Sequence, residues 1–230
     1  MTPFAVFTNK NPEFKATYAM EDFVPVAPLV ATALVLAASA DSKISSLTDL
    51  AAYAKSNRLS YGTYGTMSTT HIGQHRLAQQ LQAKDAVAVS YRGEAPMLAD
   101  LLGGQIQIGV VSPASAKEYQ KAGKLRLLGV TGPKRYEFLP EVPTLKEQGI
   151  KGVDWTDGVV VFASSKTPPA VLAHLQATFQ KLMSDEGMLA SLRAQSHQPW
   201  LNITNAALKA QMVADKVFWD KAQAEMVTAK

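Results

Sequence analysis

Tyr61-Gly-Thr-Tyr-Gly-Thr-Met-Ser-Thr-Thr-His71 is the stretch on which the reading of this chain turns. Arg58 to Gly62 reads as a short strand, and roughly Thr70 to Gln82 as a helix, so the Gly/Thr/Ser run between them joins strand to helix. The first N–H groups of a helix have no partner within it, and they carry a partial positive charge. Hydroxyls at Thr66, Ser68, Thr69 and Thr70 add donors at the same point, which together suit a carboxylate or a phosphate. The same residues also read as plain helix caps, and composition alone leaves both readings open. A nucleotide loop is excluded: no Lys follows as a Walker pattern requires, and no Gly-x-Gly-x-x-Gly is present.

Outward from this loop the chain alternates. Ser46 with Asp49 has capping-box spacing and opens a helix whose Leu47, Leu50, Ala51 and Ala54 recur at helical intervals. Beyond the loop come a strand at Ala86–Ser90 and a helix at Ala95–Leu102, which Gly103-Gly104 stops. Gln105–Val111 reads as a strand, Pro113 and Gly123 bracket a helix, and Leu125–Thr131 reads as another strand. This rhythm predicts an α/β fold with a parallel or mixed sheet covered by helices. A short helix is expected after Pro143 and a strand at Val159–Ala163. Pro168-Pro169 opens a long helix with Leu172, Leu175, Phe179 and Leu182 on one stripe. Helices over Glu186–Gln195 and from about Thr204 complete the chain, while residues 1 to 25, with Asn9, Asn11, Pro12 and Pro25, read as irregular.

The 230 residues are enough for two lobes. The net charge of +4 comes from singly scattered Lys and Arg, which form no footprint for nucleic acid. With no cysteine there is neither a disulfide nor thiolate chemistry. Met1 to Lys15 lacks an apolar core and reads as no signal peptide. The uncharged stretch Phe23–Ala40 is short for a membrane span and contains Pro25 and Pro28; Val26–Ala37 within it reads as buried strand.

Little in the chain points to catalysis. No Gly-x-Ser-x-Gly elbow or Ser-x-x-Lys is present. His71 and His75 share a helix face, but the Glu of a metalloprotease pair is missing between them, so no metal or other cofactor is expected. Asp154 and Asp157 flank Trp155 as a pair of acids would, but read rather as loop carboxylates. Trp200 and Trp219 read as core, while Trp155 suits either a cleft wall or a packed hinge.

Taken in order, several segments resemble the Bug/TctC family of solute-binding proteins. They are Asp22-Phe-Val-Pro-Val26, the Tyr61–His71 loop, Val89-Ser-Tyr-Arg-Gly93, Asp100-Leu-Leu-Gly-Gly-Gln105, Ala122-Gly-Lys-Leu-Arg126 with Gly129-Val-Thr131, and Leu139-Pro-Glu-Val-Pro-Thr144. The resemblance covers about residues 20 to 185 well. It implies a two-lobed, periplasmic-binding-protein-like (type II) fold with hinge strands and a central cleft. One lobe would be residues 39–154, and the other residues 1–38 with 155–230. It implies a small carboxylate as ligand, a membrane permease of a tripartite transporter as partner, a periplasmic setting and no chemistry on the ligand. Carried onto this chain, the binding residues would be Thr66, Met67, Ser68, Thr69 and Thr70, with Tyr91 and Ser112 at neighbouring strand ends; Arg92 is a further source of charge. Met67 stands where the family usually has Gly, and Ser90 where it usually has Pro. About two βα units that the family places earlier have no counterpart, so the first lobe is expected to be incomplete. That expectation brings two alternatives: a homodimer that covers the exposed edges, or a degenerate member that acts as an interaction or sensing protein without a ligand.

Overall fold

The computed structural model describes residues 17–201 and 203–228. After a 3-10 turn at Met20–Asp22, the elements in chain order are β1 (Phe23–Thr32), β2 (Val35–Ser39), α1 (Leu47–Ser56), β3 (Ser60–Thr63), α2 (Thr69–Gln80), β4 (Val87–Ser90) and α3 (Glu94–Leu102). There follow β5 (Ile108–Val111), α4 (Pro113–Lys121), β6 (Leu125–Val130), β7 (Asp157–Ser164), α5 (Pro169–Leu182), α6 (Glu186–Ala194) and α7 (Asn205–Thr228). Ala33–Thr156 forms one compact unit; the described residues up to Thr32 and from Asp157 form the other. The stretch expected to be irregular around Asn9, Asn11 and Pro12 lies outside the described residues.

The continuous unit carries a mixed sheet in the order β4-β3-β5-β2-β6. β3 runs parallel to β4 and β5, and β2 runs antiparallel to β5 and β6. β2 lies inside the sheet and is buried along its whole length, which is why Val35-Leu-Ala-Ala-Ser39 shows no polar alternation. Gly62 and Gly109 face each other as register partners on β3 and β5. Met97 of α3 fills the slot they leave: a Cβ on either glycine would lie 2.4 Å from a Met97 atom. A similar fit seats Trp155, whose ring would stand 2.0 Å from a Cβ on Gly73 of α2. Of the two expectations for Trp155, a packed ring is what the unit contains. At the start of α1, Ser46 accepts from Asp49 N–H, and the Asp49 carboxylate accepts from the N–H and hydroxyl of Ser45.

Three expectations need correcting. The single strand at Val26–Ala37 is two strands in two sheets. Leu34 breaks the run because both its backbone groups turn to Thr131: its N–H donates to Thr131 Oγ1, and its carbonyl accepts from Thr131 N–H. After Pro143 there is one turn, not a helix. Thr144 and Glu147 cap each other reciprocally, but Gly149 at φ +89 ends the turn before it can propagate. The strand expected at Gln105–Val111 begins only at Ile108.

The split unit is built on an antiparallel pair, β1 with β7. Pro25 and Pro28 cannot donate to a ladder, and the register shifts beside each of them. The 198–200 segment bonds the same strand: Ala31 N–H donates to Gln198 O, and Trp200 N–H to Leu29 O. Val160, Leu208 and Met212 form the core, with Trp200 only partly buried against it and Trp219 buried. The stripe Leu172, Leu175, Phe179, Leu182 is half-buried, and neither α5 nor α6 has a fully buried residue. Val159, Val213, Val217 and Phe218 are exposed. Among the described residues, no helix is long and apolar enough to cross a membrane.

The Gly73–Trp155 contact gives a direct test. Gly73→Ala lowers stability in chemical denaturation by about 1–3 kcal/mol, because the added methyl displaces a packed ring. On a Trp155→Leu background the same change costs less; equal costs on the two backgrounds contradict the contact.

Candidate functional site

Three parallel strands end at one edge of the continuous unit's sheet, and each leads into a helix. β3 passes through residues 64–68 into α2, β4 through Tyr91–Gly93 into α3, and β5 through Ser112 into α4. Because these strands are neighbours, the sequence places three helix N-termini side by side, at the carboxyl ends where open sheets hold ligands.

The loop before α2 is bonded mostly to itself. Ser68 accepts from His71 N–H at 3.2 Å and lies 3.0 Å from the Thr70 hydroxyl. Thr70 Oγ1 accepts from Tyr64 N–H at 3.1 Å, and Ser68 N–H donates to Gly65 O. Met67 N–H donates to His71 Nδ1 at 3.0 Å, so the neutral ring carries its proton on Nε2. The Tyr64 hydroxyl donates to Val110 O, and Tyr91 N–H to Thr63 O, which tie the loop to the ends of β5 and β4. Gln74, which sequence reasoning passed over, braces it from below by donating to Gly62 O at 2.7 Å and to Thr70 O.

Capping therefore accounts for the side chains of Ser68 and Thr70. It leaves the N–H groups of Thr69 and Thr70, at the first turn of α2, without a bonded acceptor among the described residues. Thr69 and Thr70 are buried, Ser68 and Met67 are half-buried, and Thr66 is exposed. Met67 holds φ at +61, in the left-handed region that glycine occupies without strain, a physical reason for the glycine usual at this position in the family it resembles.

Tyr91 and Ser112 flank the loop but are already engaged. The Tyr91 hydroxyl donates to Asp100 Oδ2 at 2.7 Å, and burial, with that bond, pushes it up to about 12. Ser112 caps α4 by accepting from Ser115 N–H. It also gives both its own donors to Glu94: N–H to Oε2 at 3.2 Å and hydroxyl to Oε1 at 3.0 Å. Glu94 was not among the residues expected here, because the contact joins the first residue of α3 to the cap of α4 across the intervening strand. Arg92 is exposed. His75 Nε2 is buried with no hydrogen-bond partner among the described residues, and burial pulls the ring below its ordinary 6.5. Among the described residues no group of three or more His, Cys, Asp or Glu could hold a metal ion.

Comparison with known proteins adds an independent line. The model of the tripartite tricarboxylate transporter family receptor, TctC, matches residues 3–227. A Cupriavidus necator protein, the UPF0065 protein in the gbd 5′ region, is 35% identical over 189 residues, covering 81% of this chain and 56% of that relative. The chain thus spans little more than half of that relative's length. An R. palustris protein solved with adipate superimposes with a TM-score of 0.80 at 25% identity, over 91% of this chain and 71% of that one. The periplasmic binding protein BugD shares the fold, with a TM-score of 0.81 at 24% identity over 96% and 74% of the two chains.

Two measurements follow from the loop and its helix. Met67→Val lowers stability by about 1–2 kcal/mol, because a β-branched residue tolerates the left-handed region worst. Met67→Gly stays within about 1 kcal/mol of wild type, since relief of strain offsets the looser unfolded chain. A valine variant as stable as the glycine one contradicts the assigned backbone. For His75 the folded value lies below the unfolded one. Its contribution is therefore full above about pH 6.5 and is lost as pH falls from there towards the folded value. His75→Gln removes that part of the acid-side decline, and identical profiles between about pH 7.5 and about pH 5.5 contradict it.

Proposed function

The chain belongs to the tripartite tricarboxylate transporter receptor family, and from that premise we propose that it captures a small carboxylated molecule at residues 66–70, as the solute-binding component of such a transporter. The observation that carries the reading is the pair of uncommitted N–H groups, Thr69 and Thr70, at the start of α2. A carboxylate there completes the helix end and meets its partial positive charge. Thr66 offers a hydroxyl beside it, Ser68 holds the helix start by its cap, Met67 adds an apolar side chain, and Tyr91 and Ser112 bound the site on either side. The adipate held by the R. palustris relative supports an acid as the ligand class.

The family is one of receptors, and the loop's groups fit that role: they bind and orient, and none is paired as nucleophile and base. A membrane permease is the expected recipient of the ligand, and the periplasm the expected setting. One observation favours a second reading, a family member that engages a partner without a solute: the helices α5 and α6 lack fully buried residues.

A thermal-shift panel of small carboxylic acids, each beside its amide, separates the two readings. The proposal predicts a concentration-dependent rise in Tm for at least one acid, absent for its amide and reduced in Thr66→Ala/Ser68→Ala. A cooperative melt that no acid moves favours the second reading. A shift that survives the double substitution undiminished contradicts the site.

A further inference from the structure

Two helix N-termini of the continuous unit differ in one respect. The first turn of α2 has uncommitted N–H groups, whereas the start of α4 already holds a carboxylate. That carboxylate is Glu94, bonded at both oxygens by the N–H and hydroxyl of Ser112, at 3.2 and 3.0 Å. The arrangement is built, not incidental. Glu94 is the first residue of α3, and α3 is fixed on the sheet by Met97 in the Gly62/Gly109 slot, so the carboxylate stands at a set place above the end of β5. β5 is the immediate neighbour of β3, whose loop leads into α2, and paired strands lie about 4.8 Å apart. The Tyr64 hydroxyl on Val110 O joins the two strand ends directly. A molecule anchored by one carboxylate at α2 therefore has the α4 end within reach of its other end.

Resting on the carboxylate reading above, we propose that Glu94 is a specificity-determining residue that reserves the site for acids with a single carboxylate. It does so by placing a negative charge at both neighbouring helix starts: α3, whose first residue it is, and α4, whose cap it bonds. The effect has two parts. Ser112's N–H and hydroxyl are given to Glu94, so neither is left for a second carboxylate. The fixed negative charge of Glu94 also repels it, at a distance and in a half-buried setting where like charges still act. A ligand whose far end is an amide, an ester, an aromatic ring or an ammonium group meets no such opposition, and an ammonium group gains from it.

The test uses the full chain, calorimetry, and matched probes: succinate, glutarate and adipate, each against its monoamide. Wild type is expected to favour the monoamides. Glu94→Gln keeps the size of the side chain and one acceptor oxygen while removing its charge; it is expected to raise affinity for the diacids by about tenfold and leave the monoamides within about twofold. A merely structural Glu94 would lower Tm in the variant without moving the diacid-to-monoamide ratio, and that result overturns the proposal. So does a wild type that binds diacids as tightly as monoamides, although the carboxylate site would then stand. Binding of no probe by either protein overturns both. If Glu94→Gln proves too unstable, wild type alone decides: like-charge exclusion is screened by salt, so the diacid-to-monoamide ratio should rise with ionic strength, and a constant ratio overturns the proposal.

Discussion

Met97 can lie against the sheet only because Gly62 and Gly109, opposite one another on β3 and β5, carry no side chains. That single fit sets the height and direction of α3, and much of the sheet's loop edge is referred to it. Glu94, less than one turn before Met97, is carried to the cap of α4, and Asp100, about one turn after it, is carried to the Tyr91 hydroxyl. A side chain at either glycine would lift α3 and release both contacts at once. The close packing of the interior thus fixes the polar groups at the sheet's edge, which have little of their own to hold them.

The edge divides its charge unevenly. At α2 the polar side chains are spent within the loop, on Tyr64, His71 and one another, which keeps the backbone N–H groups of Thr69 and Thr70 pointing out of a rigid turn. At α4 the N–H and hydroxyl of the cap residue Ser112 are answered from inside the chain by Glu94. On the proposed reading, preorganised donors at one end and a resident acceptor at the other orient an asymmetric ligand, and neither requires a group that reacts.

Where local chemistry decides structure, the sequence was a good guide. Ser46 caps α1 as its spacing to Asp49 indicated, and the Gly/Thr/Ser run does join a strand to a helix, with Ser68 as its cap. What escaped it depends on contacts far apart in the chain. The division of Val26–Ala37 is made by Thr131, nearly a hundred residues away, which takes both backbone groups of Leu34. The helix expected after Pro143 has the right cap, but a glycine in the left-handed region stops it after one turn. The pairing of Glu94 with Ser112 has no sequence signature, since either residue alone reads as an ordinary helix start. The left-handed backbone at Met67 is equally silent in sequence, because only a glycine would have announced it.

The central claim is that the first-turn N–H groups of α2 receive the ligand's carboxylate. An amide proton and nitrogen spectrum of the full chain labelled at threonine reads those groups one by one, as acetate and then benzoate are titrated in. The account predicts saturable downfield movement of the Thr69 and Thr70 amide protons, with Thr167 and Thr178 of the split unit unmoved. Saturable binding that leaves Thr69 and Thr70 in place would contradict it.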